Sequence, residues 1–288
     1  MNGIKQFFSP FLAVMKFIQE HFKAMIFLLI LFLIFSPGEA ELKPANLAEI
    51  KLEGIILDAA LVVDRLEEAR EDKNIKGVLF VVNSPGGSVP PSIEIMEAIK
   101  RLKAEKPVIA YAAGTIASGS YYASIYANEI YANPGSMVGS IGVIMQGTNF
   151  AELAQKVGIS SQIVKAGKFK EVGTAARKWK PYETAELEKV VNDTYKLFVS
   201  DVAKARHLDP AKHTEFADAH IFTASQAKEV GLIDKLGVAY DAKNALVGLT
   251  AVEKPIWQEE DRMDSFMRRL SGESASFLGA YFSNLTLK

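Results

Sequence analysis

Short apolar runs alternate with amphipathic stretches through the middle of the chain. Residues 77–82 (GVLFVV) are apolar throughout, which indicates a strand buried on both faces. Residues 91–103 place Ile95, Ile99 and Leu102 on one side of a predicted helix. This alternation predicts an α/β fold with a largely parallel sheet. The predicted strands are residues 50–57, 77–82, 108–112, 130–132, 141–145 and 162–165, and the predicted helices are 61–70, 91–103, 117–127 and 183–205, followed by a short helix with a capping box at Thr223 and Gln226.

An uninterrupted apolar run at residues 24–35 sets the N-terminal region apart. The run is shorter than the ~20 residues that a membrane-spanning helix needs. Lysines precede it and glutamates follow it, at Lys5, Lys16, Lys23, Glu39 and Glu41. The positive-inside rule then predicts a single-pass anchor in the inner (cytoplasmic) membrane, with residues from about 40 onward on the outer or periplasmic side. A cleaved signal peptide is the alternative, although residues 36–40 (SPGEA) contain no clean Ala-x-Ala site.

The chain is therefore predicted to have three regions. Residues 1–45 form the anchor and its flanks, residues 46–250 form one α/β domain, and residues 251–288 form a C-terminal tail. Glycines interrupt this polar tail at Gly272 and Gly279, between scattered methionines and phenylalanines. The tail either docks on a neighbouring subunit or is a loosely ordered terminus.

Composition excludes several classes of function. The net charge is −1, so no basic surplus indicates nucleic acid as a partner. The chain has no cysteine, which removes disulfides, thiolate metal sites and a cysteine nucleophile.

Three segments carry candidate chemistry. Residues 83–88 (NSPGGS) follow a predicted buried strand, and paired glycines let backbone N–H groups approach a ligand closely. Residues 114–122 (GTIASGSYY) place Ser118 at a strand-to-helix junction, where it either reacts or caps the helix. Residues 165–171 (KAGKFKE) hold three lysines, whose ordinary role is solvation.

Taken together and in this order, the motifs resemble the signal peptide peptidase A family of serine proteases, within the Clp-protease and crotonase superfamily. The resemblance covers residues 53 to 236 and includes NSPGGS, IASGSYYAS, NPGSMVGSIGVI, KAGKFKEVG and FTASQAKEVGLIDKLG. It implies a Clp/crotonase-like fold over the domain at 46–250. It also implies a Ser–Lys dyad that needs no cofactor, peptide substrates such as signal peptides at the membrane, and a homo-oligomer. The implied roles are Ser118 as nucleophile, Lys170 as general base, Ser140 as the residue that orients the lysine, and the amides of Gly86 or Gly87 with Gly119 as the oxyanion hole.

The implied dyad is chemically coherent. A free lysine has a pKa near 10.4 and is protonated at neutral pH, so it cannot serve as a base. Burial penalises the ammonium form, and a fall of ~3 pH units in pKa corresponds to ~4 kcal/mol. A neutral amine can then accept the proton of a serine hydroxyl, as in other Ser–Lys pairs.

Alternatives to the Ser–Lys dyad are also compatible with the superfamily. A Clp-type triad would need a histidine soon after the nucleophile, but no histidine lies between Ser118 and Lys170. A crotonase-like acyl-CoA enzyme and a catalytically inactive scaffold of the same superfamily are the other hypotheses. The sequence departs from the family pattern at Ser120, where a second glycine is usual, and at residues 172–179 (VGTAARKW).

Overall fold

The computed structural model describes residues 16–28, 30–31 and 44–258, which fall into two units that divide between Pro44 and Ala45. In the first unit, residues 16–28 and 30–31 are helical (α1). Among the described residues, no helix combines the length and apolar character needed to cross a membrane. The predicted anchor at 24–35 lies partly outside those residues and stays a prediction. The segment 36–40 and most of the C-terminal tail also lie outside them.

The second unit alternates strands and helices, as the apolar pattern predicts. Its strands are β1 Leu47–Ile56, β2 Gly77–Gly87, β3 Val108–Ala117, β4 Glu129–Ala132, β5 Met137–Gly139, β6 Ile221–Thr223 and β7 Lys235–Leu236. Its helices are α2 Ala60–Glu71, α3 Val89–Glu105, α4 Gly119–Ser124, α5 Ala151–Lys156, α6 Pro181–Arg206, a 3₁₀ turn Pro210–Lys212, α7 His213–Phe216, α8 Ala224–Glu229 and α9 Ala239–Thr250.

The strands form one mixed sheet whose main path runs β1-β2-β3-β4-β7. Every pairing in it is parallel except that of β5 with β6. Helices α2, α3 and α4 supply the connections between successive strands from β1 to β4, because parallel neighbours require a crossover. The predicted α/β class with a largely parallel sheet is confirmed.

Both faces of the sheet are buried, which explains its continuous apolar runs. Phe80 and Val82 point into the larger hydrophobic core, whereas Leu79, which precedes them, packs on the opposite face with Leu246 of α9. All four side chains are fully buried. A strand enclosed in this way gains hydrophobic stabilisation at every position and shows no polar alternation.

Strand β3 forks, and the fork positions the chemistry. Its lower half, from Ile109 to Ala112, pairs with β4, and its upper half, from Thr115 to Ala117, pairs with β5. A register shift separates the halves, and the Asn83 side chain accepts the Thr115 N–H at 3.1 Å within it. Strands β2 and β3 therefore continue past their predicted ends at residues 82 and 112.

Two predicted strands are wrong. Residues 141–145 do not continue β5, because both of its partner strands stop at Gly139, which pairs with the last residue of β3 (Ala117) and the first of β6 (Ile221). Residues 162–165 pair with no strand among the described residues, and Val164 is fully exposed. The helix predicted at 117–127 is shorter, at Gly119–Ser124, since Ala117 ends β3. The capping box of Thr223 and Gln226 is confirmed at the start of α8.

Candidate active site

Ser118 lies at the junction of β3 and α4 in a strained backbone conformation. Its φ of 52° and ψ of −124° are disfavoured for a residue with a Cβ atom, and such strain costs ~1–3 kcal/mol. Its N–H donates to Gly139 O at 2.8 Å, and its carbonyl accepts the Tyr122 N–H at 3.0 Å. The residue occupies the N-cap position, yet its side chain makes no capping hydrogen bond. The structure therefore does not support the helix-cap interpretation of Ser118.

Ser140 lies beside Ser118 because of the fork in β3. Ala117 pairs with Gly139, so the two serines follow directly on neighbouring parallel strands. Ser140 also has a positive φ, of 50°, and its N–H donates to His220 O at 2.7 Å. Both serines are half-buried.

The three predicted oxyanion glycines also converge at Ser118. A Cβ atom on Gly86 would lie 2.5 Å from the Gly119 nitrogen and 2.9 Å from Ser118 Cβ. A Cβ atom on Gly119 would lie 3.2 Å from the Gly87 nitrogen and 2.3 Å from Ser92 Oγ. Only glycine allows this approach of the two backbone segments.

The hydrogen bonds separate Gly86 from Gly87 as candidate donors. The Gly86 N–H donates to Ser84 Oγ at 3.1 Å and is therefore occupied. The Ser88 N–H donates to Ile56 O at 2.8 Å, so the preceding amide, of Gly87, points away from β1. Gly119 begins α4, where an N–H has no acceptor within the helix. The geometry favours Gly87 with Gly119 as the donor pair.

A small cavity opens beside Ser118. Tyr122 forms part of its wall and stacks on Phe198 of α6, with ring centroids 4.3 Å apart. Burial, together with a hydrogen bond to Asp201, raises the pKa of the Tyr122 hydroxyl. The other lining residues are Gly87, Val89, Ser92, Gly119, Gly142, Val143 and Thr194. Sequence reasoning missed the wall formed by α6, because no local pattern indicates which helix packs over a distant loop.

Lys170 is not brought into this cluster. It is exposed, in the turns between α5 and α6, and it does not line the cavity beside Ser118. The structure does distinguish the three lysines of its motif. Lys165 pairs with Glu171 at 2.8 Å, and Lys168 lies 4.9 Å from the ring centre of Tyr182. For the Lys170 side chain, the described residues supply no partner.

The family assignment follows from comparison with known proteins. The model of Peptidase family S49 matches residues 100–253, more than half of the chain. The chain belongs to peptidase family S49. This is the family of serine proteases, including signal peptide peptidase A, that the motifs predicted. The Clp protease model also matches residues 52–138, in agreement with the predicted Clp-like α/β fold.

Similar S49 relatives come from distant organisms. A candidate protease of Methanocaldococcus jannaschii is 40% identical over 69% of this chain and 64% of its own length. A candidate protease of Synechocystis is 38% identical over 70% of this chain and 74% of its own length. A candidate signal peptide peptidase SppA of Enterococcus faecium is 37% identical over 63% and 53%, respectively. The chain thus covers less than two thirds of the first and third of these relatives.

Ser120, the departure from the S49 pattern, has a structural role. Its buried hydroxyl accepts the Ala117 N–H at 2.9 Å and lies 2.7 Å from Ser84 O, to which it can donate. It therefore joins the strained junction at Ser118 to the end of β2, which carries Gly86 and Gly87.

Replacing Ser120 by alanine should destabilise the fold more than the same change at Ser124. Ser120→Ala leaves the buried Ala117 N–H without its acceptor, at a cost of about 1–3 kcal/mol. Ser124 is equally buried, but its hydroxyl only donates to the carbonyl one turn back, so we expect Ser124→Ala to cost about 1 kcal/mol or less. Urea unfolding of both variants checks this, and equal losses would contradict the role given to Ser120.

Proposed function

We propose that this S49 member is a serine endopeptidase in which Ser118 is the nucleophile and Lys170 the general base. The observation that carries the proposal is the strained Ser118, whose hydroxyl does not cap α4 and which adjoins the Gly87 and Gly119 amides. Backbone strain of this kind in a residue with a Cβ atom concentrates at functional sites.

The reaction proceeds through an acyl-enzyme. The neutral amine of Lys170 accepts the hydroxyl proton as Ser118 Oγ attacks the peptide carbonyl carbon. The amides of Gly87 and Gly119 stabilise the negative charge that develops on the carbonyl oxygen. The ammonium then donates its proton to the leaving amine, and a water molecule, activated by the same lysine, hydrolyses the ester. Ser140 holds the amine in place, and no cofactor takes part.

The dyad is completed between subunits of a ring-like homo-oligomer. Support comes from the exposure of Lys170 and from the apolar side chains that surround it in sequence. Ile144, for example, is 83% exposed, and soluble proteins seldom leave a large apolar surface uncovered. The exposed apolar residues of this segment are Ile144, Met145, Phe150, Leu153, Val157, Ile159, Ile163, Val164 and Phe169. A second copy of the chain would cover them and receive the lysine.

The substrates we propose are signal peptides or other membrane-associated peptides. Support comes from the family, from the name of the Enterococcus faecium relative and from the apolar run at 24–35 that would hold the enzyme at the membrane.

Ser118→Ala and Lys170→Ala should each lower kcat/KM on a peptide substrate by at least about 10³-fold, because the two groups act as a unit. Ser140→Ala should lower kcat/KM less, since Ser140 orients the lysine rather than reacting itself.

A fluorophosphonate probe, mapped by mass spectrometry, should label Ser118. An unlabelled Ser118 would favour the acyl-CoA enzyme or the scaffold. His220 lies next to Ser140 through its carbonyl, so loss of turnover in His220→Gln would favour a histidine base.

Coexpressing Ser118→Ala with Lys170→Ala should restore activity that neither variant has alone. In a ring with one type of head-to-tail interface, random assembly leaves both groups intact at about a quarter of the sites. Turnover of the copurified mixture, compared with that of each variant alone, measures this. A mixture as inactive as its components would place the dyad within one chain.

Reporter fusions after Ala60 test the proposed location on the outer side of the membrane. Alkaline phosphatase, which matures only outside the cytoplasm, should be active at this junction, and a cytoplasm-specific reporter should be silent. The reverse pattern would overturn the topology and, with it, the proposed membrane peptides as substrates.

A further inference from the structure

Four charged side chains form a continuous line from the Lys170 segment to the start of α6. Lys165 Nζ lies 2.8 Å from Glu171 Oε2, and the same oxygen lies 2.9 Å from Arg177 Nη2. Arg177 then binds both carboxylate oxygens of Glu183, at 2.7 and 2.8 Å. Arg177 is therefore the link between the two carboxylates.

The Glu183 end of this line is rigid. Its side chain is fully buried, and Oε2 also accepts the Lys180 N–H at 2.8 Å, which caps α6. The hydrogen bonds from Arg177, and then from the Lys180 N–H, lower the pKa of Glu183 to about 2. Helix α6 continues from this point to Phe198, which is buried and lines the cavity beside Ser118. A group fastened to Glu183 is thus held against the buried start of α6 in its own subunit.

The Glu171 end belongs to the turn that carries Lys170. Glu171 directly follows Lys170, and hydrogen bonds from Arg177 and Lys165 lower the pKa of its carboxyl group. Aromatic contacts support the same attachment, since the Phe169 ring meets Tyr182 of α6 edge-on at 5.8 Å. A hydrogen bond from the Trp179 Nε1–H to Thr174 O, at 2.9 Å, also joins the residues just before α6 to the end of this turn.

We propose that Arg177 is the positioning residue for Lys170, holding its turn against the start of α6 by bridging Glu171 and Glu183. The inference rests on the proposed role of Lys170 as the base. A bidentate guanidinium fixes orientation as well as distance, which lysine at this position could not do. Small displacements of a catalytic group are expensive, so the bridge would matter for the rate of the chemical step.

The charges of the line balance, and the balance has a consequence for Lys170. Two cations, Lys165 and Arg177, face two anions, Glu171 and Glu183. Removing Arg177 leaves a surplus negative charge, which favours the ammonium form of a neighbouring lysine. Removing the charge of Glu171 leaves a surplus positive charge, which favours the amine. Between residues 165 and 183, the other ionisable groups are Lys168 on the turn, Lys178 and Lys180 before α6, and Tyr182 on it.

The test compares Arg177→Met and Glu171→Gln in the full-length protein, by kcat and KM for a fluorogenic peptide across pH. Both variants break the bridge, so each should lower kcat by about tenfold or more while KM changes little. The ascending limb of the pH profile of kcat/KM should move in opposite directions in the two variants. We expect a move of a few tenths of a pH unit, upward in Arg177→Met and downward in Glu171→Gln. A purely structural role would not reverse the sign.

Arg70→Met is the matched control. Arg70 also joins carboxylates, those of Glu67, Glu71 and Glu105, and its exposure (26%) matches that of Arg177 (27%). Arg70 lies on α2, outside the candidate site, so Arg70→Met should change neither kcat nor the ascending limb of the kcat/KM pH profile. Arg177→Lys keeps the charge without the bidentate contact, and we expect an unmoved limb with a reduced kcat. This variant also serves if Arg177→Met does not fold.

Several results would overturn the positioning role. They are a wild-type kcat in folded Arg177→Met, limbs that move in the same direction, or a loss of kcat that high protein concentration reverses. The last would make Arg177 a residue of assembly. Lys170→Arg separates the two proposals, because a guanidinium cannot act as a base. An active Lys170→Arg enzyme refutes the dyad itself, whereas an inactive one with an unaffected Arg177→Met refutes only the positioning role.

Discussion

The hydrogen bond from the Ser118 N–H to Gly139 O is the constraint on which the candidate site depends. It closes the upper pairing of β3 with β5 after the lower half of β3 has paired with β4. The chain then passes from β3 into α4 through a single residue, Ser118, which has a positive φ. The same pairing brings Ser140 alongside. The fork in the sheet therefore explains both the strain and the proximity of the two serines.

A strained backbone conformation at one residue persists only where several surrounding contacts hold it in place. Here the surroundings are buried hydroxyls and glycines rather than bulky side chains. Ser120 joins β3 to the end of β2, where Gly86 and Gly87 lie, and the Ser84 hydroxyl accepts the Gly86 N–H. This arrangement leaves the Gly87 amide as the candidate donor. It also explains why a serine at position 120 fits where the family pattern has glycine.

The sequence predicts those parts of this molecule that local physics determines. Continuous apolar runs identified β2 and β3 because both faces of these strands are buried, and the motifs located the serines and glycines of the site. The wall formed by Phe198 depends on how a distant helix packs, and no local pattern encodes that. The strand predicted at 141–145 failed for a related reason, since its apolar residues reflect surroundings other than a sheet edge. The sequence around Lys170 likewise does not indicate which group this lysine contacts.

The candidate site has two parts that the fold stabilises by different means. The nucleophile, the amides and Ser140 are built into the sheet, where backbone hydrogen bonds fix them within one subunit. Lys170 lies on a turn that is attached to α6 by ion pairs and aromatic contacts, away from those groups. If Lys170 is the base, a single subunit holds a strained serine with nothing to deprotonate it. Assembly would then complete the dyad and at the same time enclose it, since the apolar segment that brings the lysine would also exclude water. A protease with this arrangement would have no competent site before it assembles.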